Sequence, residues 1–443
     1  MQNLNNEYKN IVQDRFEESV VSGNEMWSLM KRSTAIYENS IVESLYMPKL
    51  FSKYVYKRLK KSAKIIYRIL AKVTQEYLDN PEYRKHFEYS KELENLILAD
   101  VGYPCMIPIL RADIFLNEEN LTFKICEFNT DGTSGMNEVR EIANAAKNTD
   151  AYLQMKKRYK LKRFELMKSW IREFMKIYRT YNKRVKHPHI AIVDFTEYGF
   201  TSEFIEFEKL FLKAGYSVSI CEIRDLTYDG NSLKTPEGKK IDVIYRRAVT
   251  GDVMENIDEV QPFIQAVKDN NVCLIGHFRT QVAHNKIIFE ILNRPETLSL
   301  LTTKEQYFIK NHIPKTYLLR SGNFDMDEIS KNKDKWIIKP SDLYASKGVF
   351  IGVDLTDEEW VKGIEESLDK DYILQEYCVP YRSENLDFTT AENPNFKMYN
   401  NTTGLFIYGG ELKGLYSRAG LKGDVSARGG GYSMASILVA NKV

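Results

Sequence analysis

Two neighbouring apolar stretches of the sequence carry side chains that can bind a metal ion and a phosphate. Arg111 and Asp113 lie in the first stretch, and Glu127 and Asn129 lie in the second, beyond a polar turn at 117–120. Alternate residues of a strand share a face, so a hairpin of these stretches would bring the Asp, Glu and Asn oxygens together. Such ligands suit Mg²⁺ that bridges phosphates, and the arginine can neutralise a phosphate or carboxylate. The alternative interpretation is a hairpin whose polar face lies in water.

A loop of small polar residues follows the second stretch. Its sequence, NTDGTSGMNE at 129–138, precedes a segment with helical spacing. Backbone amides and hydroxyl groups in such a loop can bind an anion at the start of a helix. Asp131, Thr133 and Ser134 are therefore candidate substrate contacts, and the alternative is an ordinary turn that caps the helix. The loop matches neither a Walker A loop nor a GxGxxG dinucleotide-binding loop.

A second polar loop lies between two strand-like runs in WIIKPSDLYASKGVFIGV, at 336–353. Lys339 ends the first run, and Ser346, Lys347 and Gly348 begin the second. This arrangement can fold over a triphosphate, because lysine supplies positive charge and glycine lets the backbone approach closely. The alternative is a β-hairpin with charged ends.

Two further segments have a weaker pattern. The strand-like YILQEYC ends in Gln375, Glu376 and Tyr377, which can offer backbone groups to a purine and a carboxylate to a ribose, although an edge strand explains it equally well. Near the C-terminus, Arg418 and a glycine-rich stretch at 426–431 form a flexible cationic segment. Such segments can clamp anions, or can simply be loops.

The histidines and cysteines exclude several enzyme classes. No HExxH or GxSxG motif occurs, which argues against a metalloprotease or a serine hydrolase. The five cysteines are widely spaced without a CxxC pair, so neither a zinc site nor a dithiol redox pair is expected. Reduced thiols, together with apolar runs far shorter than the roughly 18 residues of a membrane span, predict a cytoplasmic protein without a membrane segment.

The elements that must position these residues follow from the periodicity. Residues 1–98 have helical spacing, and short strands alternate with helices over 189–290, which predicts a parallel α/β layer. From about 295 the pattern is that of an α+β unit. The stretch 156–186 has helical spacing and 13 Lys and Arg residues. It can be a membrane- or nucleic-acid-binding helix, or a surface helix whose basic stems cover apolar side chains.

The overall charge argues against a polyanionic partner. Among 443 residues, 63 Lys and Arg stand against 61 Asp and Glu, so the formal net charge is +2. The composition, with 43% hydrophobic and 28% charged residues, is that of a globular protein. We therefore expect neither a nucleic acid nor a membrane as partner.

The four motifs, in their order along the chain, resemble the circularly permuted ATP-grasp ligases, the group that includes glutathionylspermidine synthase. The segment ILRADIFL followed by FKICEFNTDGT is similar to the metal motif of the family. WIIKPSDLYASKGVFIG is similar to its nucleotide lysine and phosphate loop, and ILQEY to its adenine hinge. The metal motif precedes the lysine, loop and hinge, which is the permuted order, and the resemblance covers about residues 100–440.

The resemblance implies a circularly permuted ATP-grasp fold of α/β and α+β type, with a pre-ATP-grasp α/β layer and an N-terminal helical region. We expect a division into an N-terminal helical region, a metal-binding part, a basic connecting helix, the pre-ATP-grasp layer and a nucleotide-binding part. The corresponding ranges are 1–98, 99–150, 151–185, 186–292 and 293–443.

The resemblance also implies a role for individual residues. Arg111 and Arg418 would act on the transferring phosphoryl group and the substrate, and Lys304 would be the first nucleotide lysine, with Lys286 as the alternative. Asp194 and Glu197 are the nearest counterparts of an acidic pair that faces the amine. The remaining implied contacts are Lys339, Ser346, Lys347, Gly348, Gln375, Glu376 and Tyr377 for ATP and Asp113, Glu127 and Asn129 for Mg²⁺.

The implied activity is the formation of an amide bond from a small acid and an amine, with ATP and Mg²⁺, through an acyl phosphate. The phosphate loop at 345–347 departs from the arginine-containing loop of glutathionylspermidine synthases, so the resemblance does not specify the two substrates. Two alternatives are a nucleotide-binding protein without ligase activity and an interaction protein that uses its basic helix. The sequence does not specify an oligomeric state.

Overall fold

The computed structural model describes residues 1–197, 201–343, 347–426 and 429–442 of the chain. Within these ranges, no helix combines the length and the apolar composition that crossing a bilayer requires.

The first hundred residues are mainly helical, as their spacing predicts, but they also contain three short strands. The longest helix, α3, begins where the Ser52 side chain accepts a hydrogen bond from the backbone N–H of Val55 at 3.2 Å. Its apolar residues Leu59, Ile66 and Val73 recur on one face and are buried in the main core. The elements are α1 (Gln2–Asp14), α2 (Phe16–Met30), β1 (Ile36–Tyr37), β2 (Ser40–Ile41), β3 (Lys49–Ser52), α3 (Lys53–Asp79), α4 (Pro81–Arg84) and α5 (Lys91–Leu98).

The next segment contains the predicted hairpin. Its two strands pair antiparallel and are followed by the polar loop and a helix, in the order that the sequence predicts. The elements are β4 (Ile109–Leu116), β5 (Phe123–Asn129), α6 (Met136–Ala146), α7 (Asp150–Arg158), β6 (Tyr159–Arg163) and α8 (Leu166–Tyr181).

The basic stretch is not one continuous helix, contrary to the prediction from its spacing. Strand β6 interrupts it and pairs antiparallel with the C-terminal strand Ser436–Lys442. This pairing outweighs the helical spacing because it satisfies backbone groups and partly buries Leu161. The remaining helix α8 buries Trp170 and Phe174 and exposes its basic side chains, which is the arrangement of a surface helix packed on the core.

The predicted parallel layer is present. Four short strands pair in parallel in the order β12-β11-β7-β8, in which β7, β11 and β12 are mostly buried and β8 is a partly exposed edge strand. The elements are β7 (His189–Asp194), α9 (Thr201–Lys213), β8 (Ser217–Glu222), β9 (Thr227–Tyr228), β10 (Leu233–Lys234), β11 (Val243–Arg246), α10 (Thr250–Glu255), α11 (Gln261–Lys268), β12 (Cys273–Ile275), α12 (Gln281–His284) and α13 (Ile288–Ile291).

The last third of the chain forms a small lobe and then returns to the large sheet. The small lobe is an antiparallel sheet in the order β13-β16-β14-β15, and it has its own small core around Trp360 and Leu374. The elements are α14 (Pro295–Ser299), α15 (Thr303–His312), β13 (Thr316–Leu318), α16 (Met326–Lys331), β14 (Trp336–Pro340), β15 (Phe350–Ile351), α17 (Asp357–Ser367), β16 (Tyr372–Glu376), β17 (Tyr381–Asn385), β18 (Lys397–Tyr408), β19 (Glu411–Gly420), β20 (Tyr432–Met434) and β21 (Ser436–Lys442).

The large sheet joins strands that are far apart in the sequence. Its order is β20-β19-β18-β4-β5, with β17 also paired to β18, so the early hairpin lies beside the late strands. This sheet and the parallel layer share one continuous hydrophobic core. The predicted combination of α/β and α+β architecture is therefore observed, while the exact five-part division of the chain stays a prediction.

Candidate functional site

Two cavities lie where the large sheet meets the other units, and they share part of their lining. The lobe cavity lies between the large sheet and the small lobe, and the layer cavity lies between the large sheet and the parallel layer. We call the residues that line both cavities the shared wall. They are Glu127, Lys286, Leu343, Arg418 and Ser426.

The predicted hairpin brings its four polar side chains to one face, because Arg111 lies opposite Asn129 and Asp113 opposite Glu127 in the strand register. The Arg111 guanidinium donates two hydrogen bonds to Asp113, from Nε to Oδ1 at 2.8 Å and from Nη2 to Oδ2 at 2.9 Å. Gly404 of β18 leaves room for this pair, since a Cβ there would come within 2.8 Å of the Asp113 Oδ1. The arginine is thus held rigidly in a buried position.

The three predicted metal ligands lie together but differ in their availability. Asn129 Nδ2 donates to Glu127 at 3.1 Å and to Asp113 at 3.3 Å. A rotation of the Asn129 amide would place its oxygen at the same point. Both Asp113 oxygens already accept from Arg111. Carboxylate and amide oxygens suit Mg²⁺, and all three ligands stay predictions. Among the described residues, no group of three or more His, Cys, Asp or Glu could hold a metal.

The shared wall has strong local electrostatics. Burial alone would raise the pKa of Glu127, but Lys286 and Arg111 outweigh it and lower this pKa to about 2. Burial lowers the pKa of Lys286, and the Glu127 carboxylate opposes this effect. The wall is therefore a charged cluster that is poised to meet an anionic ligand.

The lobe cavity contains the second predicted lysine and the strand that resembles an adenine hinge. Lys339 is 7% exposed and donates to Gln375 Oε1 at 3.0 Å, while Gln375 Nε2 donates to the Thr316 hydroxyl at 2.9 Å. Glu376 and Tyr377 lie at the cavity edge. The apolar residues of the lining are Phe115, Ile125, Ile337, Val349 and Ile351. The cavity therefore combines apolar side chains with the ammonium group of Lys339.

Several predicted nucleotide contacts do not line either cavity. Lys304 lies exposed in the first turn of α15, whereas its alternative, Lys286, lines both cavities. Lys347 and Gly348 are exposed on the loop before β15, and Ser346 lies outside the described residues. The structure therefore brings Lys286, and not Lys304, to Lys339.

The segment after β19 reaches over the shared wall. Ser426 lines both cavities, and the backbone N–H of Gly423 donates to Asp354 of the small lobe at 3.1 Å. Arg418 is partly buried, and its Nε donates to the Val425 carbonyl at 3.3 Å. The predicted cationic clamp is therefore partly in position, while Arg428 lies outside the described residues.

The polar loop after β5 lines the layer cavity, and its residues are held by neighbouring arginines. Asp131 pairs with Arg246 at 2.7 Å and accepts from the backbone of Thr250 at 2.6 Å. Thr133 donates its hydroxyl to the carbonyl of Asn129 at 2.9 Å. Ser134 offers its carbonyl to Arg111 Nη1 at 3.0 Å. The loop is thus fixed in shape, and Asp131 has a structural partner.

The two predicted amine contacts lie in different places. Asp194, at the end of β7, lines the layer cavity, and its burial raises its pKa to about 7 against the opposing charge of Arg247. Glu197 lies outside both cavities and is paired on the surface with Arg224 at 3.0 Å. Only Asp194 is therefore brought to the site.

Three further cavity residues have no counterpart in the sequence motifs: Arg247, Asp252 and His284. Arg247 is 3% exposed and donates to the carbonyl of Thr133 and to the Tyr245 hydroxyl. Burial raises the pKa of Asp252 to about 6. A usable signal exists for one of them, because Arg247 directly follows β11 as Asp194 ends β7, and the carboxyl ends of parallel strands meet at one edge of a sheet.

Comparisons with known proteins agree with this geometry. The family described as circularly permuted ATP-grasp type 2 matches residues 88–400. A glutathione synthetase-like effector from Globodera pallida, solved in its apo form, is similar in fold with a TM-score of 0.64 at 13% sequence identity, covering 97% of this chain and 99% of that one. No curated protein matches the sequence. The chain belongs to the circularly permuted ATP-grasp type 2 family, which confirms the predicted fold class and indicates an ATP-dependent ligase of small molecules.

Proposed function

We propose that this member of the circularly permuted ATP-grasp type 2 family joins a carboxylic acid to an amine, using ATP and Mg²⁺ and an acyl phosphate intermediate. The observation that carries the proposal is the shared wall. A cavity with an apolar part and lysines meets a second, polar cavity at Glu127, Lys286 and Arg418. A ligase needs this arrangement, because the γ-phosphate from one side must meet a carboxylate from the other.

The lobe cavity would hold ATP. Its apolar side chains suit the adenine ring, and the strand end at Gln375, Glu376 and Tyr377 would face the purine and the ribose. Lys339 and Lys286 would contact the phosphates, so Lys286 takes the role that the resemblance assigned to Lys304. Both ammonium groups lie close to buried polar partners, and a phosphate would complete their charge balance.

Glu127 and Asn129 would hold Mg²⁺ with the phosphate oxygens. When bound, the metal would offset the negative charge of the transferring phosphoryl group. The low pKa of Glu127 supports this role, because it keeps the side chain ionised at neutral pH.

Arg111 and Arg418 would hold the substrate carboxylate at the shared wall. The carboxylate oxygen attacks the γ-phosphorus, the bond between this phosphorus and the ADP oxygen breaks, and an acyl phosphate forms. The ion pair with Asp113 orients Arg111, so its remaining Nη1 edge faces the loop at Ser134 and the layer cavity. Preorganised cations of this kind stabilise the charge that develops during transfer.

The far part of the layer cavity would hold the amine. Asp194 and Asp252 line this cavity. The cation that acts on Asp194 is Arg247, and the one that acts on Asp252 is Lys347. An ammonium group of the substrate would supply the missing positive charge. Thr133 and Ser134 would contribute hydroxyl groups beside them.

The test is a screen that combines several acids with several nucleophiles. Purified protein is incubated with Mg²⁺-ATP, with the protein amino acids and glutathione as acids, and with hydroxylamine, polyamines or amino acids as nucleophiles. We expect ADP release that depends on the acid, and a hydroxamate in equal amount when hydroxylamine is present. A stable phosphorylated product without hydroxamate would indicate a kinase, and ATP binding without turnover for any acid would favour a nucleotide-binding protein without ligase activity.

A further inference from the structure

His284 is the histidine that lines the site, since none of the other five contributes to either cavity within the described residues. It ends helix α12 and lies two residues before Lys286 of the shared wall. Its Nδ1 is buried and has no hydrogen-bond partner among the described residues. The imidazole lines the layer cavity, so a ligand bound there can reach it.

The segment that carries His284 is fixed on both sides. The Thr130 hydroxyl donates to the carbonyl of Thr280 at 2.8 Å, which ties α12 to the loop after β5. The backbone N–H of Lys286 donates to the carbonyl of Ser341 at 2.8 Å, which ties it to the loop after β14. The imidazole is thus held between the two loops that would surround the acyl phosphate.

An acidic side chain lies beside the imidazole. Asp342 accepts a hydrogen bond from Gln281 Nε2 at 2.6 Å, and the Gln281 carbonyl accepts from the Tyr89 hydroxyl at 3.0 Å. Burial raises the pKa of Asp342, and positive charge on His284 or Lys286 opposes this effect. Asp342 is thus fixed beside the helix that carries His284.

Amide formation needs a base at this place. An alkylammonium group has a pKa of about 10, so at neutral pH the incoming amine carries a proton in place of its lone pair. Arg111, Lys286 and Arg418 are cations and cannot accept that proton. Asp131 is paired with Arg246, and Asp194 and Asp252 are assigned to holding the ammonium group.

We propose that His284 is the general base that deprotonates the amine, an inference that rests on the proposed ligase function. His284 takes a proton from the ammonium group. The amine nitrogen then bonds to the acyl carbon, the bond between this carbon and the phosphate oxygen breaks, and phosphate leaves. The second nitrogen proton passes to the departing phosphate, and the imidazolium returns its proton to water.

The charge around His284 is mixed. The groups that face this part of the cavity come from β5 and its loop, from α10, from the loop after β14 and from the segment of His284 itself. Glu127, Asp131, Asp252 and Lys286 line the cavity, whereas Asp342 and Lys347 lie outside its lining and act on these groups through their charge.

The test compares two nucleophiles in the same variants. Hydroxylamine is largely uncharged at pH 7 and needs no base, whereas methylamine is protonated. The acid is the one that gives the wild type its highest hydroxamate yield in the screen. With this acid, we expect His284→Asn and His284→Gln to lower the rate of methylamide formation by about a hundredfold, within the usual range for a general base. The ratio of hydroxamate to methylamide should rise by about the same factor.

The following results test the role of His284. Amide formation by the variants should recover as the pH rises and more methylamine becomes neutral, and added imidazole should restore part of it. If hydroxamate and methylamide fall equally, His284 has only a structural role, and if neither falls it is not the base. If the wild type forms no hydroxamate, the ligase proposal and this one are both overturned. The control variant is His187→Gln, which should match the wild type because His187 lines neither cavity.

Discussion

The lobe cavity and the layer cavity are built in different ways. Most lobe-cavity residues lie on paired strands, where Lys339 and Gln375 are neighbours in one small sheet and Cys126 and Glu127 lie on the facing hairpin. The layer cavity collects single residues from strand ends and loops, such as Asp194, Arg247 and His284. A site on strands leaves motifs in the sequence, because the two-residue period fixes which side chains share a face. A site at strand ends leaves isolated residues.

Both cavities mix carboxylates with cations, but they differ in which charged groups they bring together. The lobe cavity brings Lys339 and Lys286 to its inner end, which suits phosphates. The layer cavity holds several carboxylates, and burial raises the pKa of both Asp194 and Asp252. Under the proposed function, one cavity would supply the phosphoryl group and the other would select a substrate that carries positive charge.

The largest effect should come from Glu127 and Asn129, the pair that would hold Mg²⁺. We expect Glu127→Gln and Asn129→Ala each to lower acid-dependent ADP release by at least about two orders of magnitude, because the first removes a negative charge and the second an oxygen ligand at the transferring phosphoryl. Steady-state ADP production measures the effect. Circular dichroism and the melting temperature serve as folding controls, and near-normal turnover in well-folded variants would contradict the metal assignment.

The next effect should separate the lysines of the lobe cavity. Lys286→Met and Lys339→Met should each weaken ATP binding by about tenfold to a hundredfold, the size of a lost charge-assisted contact of roughly 1.5–3 kcal/mol. Lys304→Met is the matched control and should leave the affinity unchanged, because Lys304 is exposed away from both cavities. Calorimetric titration with ATP measures all three. If Lys304→Met weakened ATP binding and Lys286→Met did not, Lys304 would be the first nucleotide lysine.

A smaller effect should sharpen the contrast between the cavities. Asp194→Asn and Asp252→Asn should raise the KM for the amine by about tenfold, as expected for loss of one ion pair, while the affinity for ATP stays the same. Glu197→Gln should change neither quantity, since Glu197 lies outside the cavity and pairs with Arg224. Steady-state kinetics at fixed ATP, with a parallel ATP titration, distinguishes these outcomes.

The smallest effect concerns stability and pH. The pKa of Asp194 is about 7 in the folded chain and near 4 in an unfolded one, so the folded state binds the extra proton between these values. The free energy of unfolding contributed by this group therefore falls as the pH rises from about 4 to about 7. Asp194→Asn should be stabilised relative to the wild type at pH 8 but not at pH 4, as measured by denaturant unfolding; an equal difference at both values would contradict the raised pKa.

The site could be predicted from the sequence where its residues follow the strand period. Arg111, Asp113, Glu127 and Asn129 were identified together, and the structure places them on one face of one hairpin. Lys339 and Gln375, which the resemblance implies as two ATP contacts, lie on paired strands and form a hydrogen bond. Lys304 and Glu197 are not at the site, although each fits a local pattern, because a single residue next to a motif does not reveal which way the surrounding helix or loop turns.

The sequence by itself determined the class of fold and the order of its motifs, since buried strands, amphipathic helices and polar loops leave local periodicities. Tertiary structure alone decided which distant segments meet. It pairs β6 with β21 against the helical spacing of the basic stretch, and it sets β4 beside β18. It also brings Lys286, Arg247, Asp252 and His284 to the cavities. The physical reason is that these contacts join segments far apart in the chain, and long-range packing and backbone pairing outweigh local preference where the two conflict.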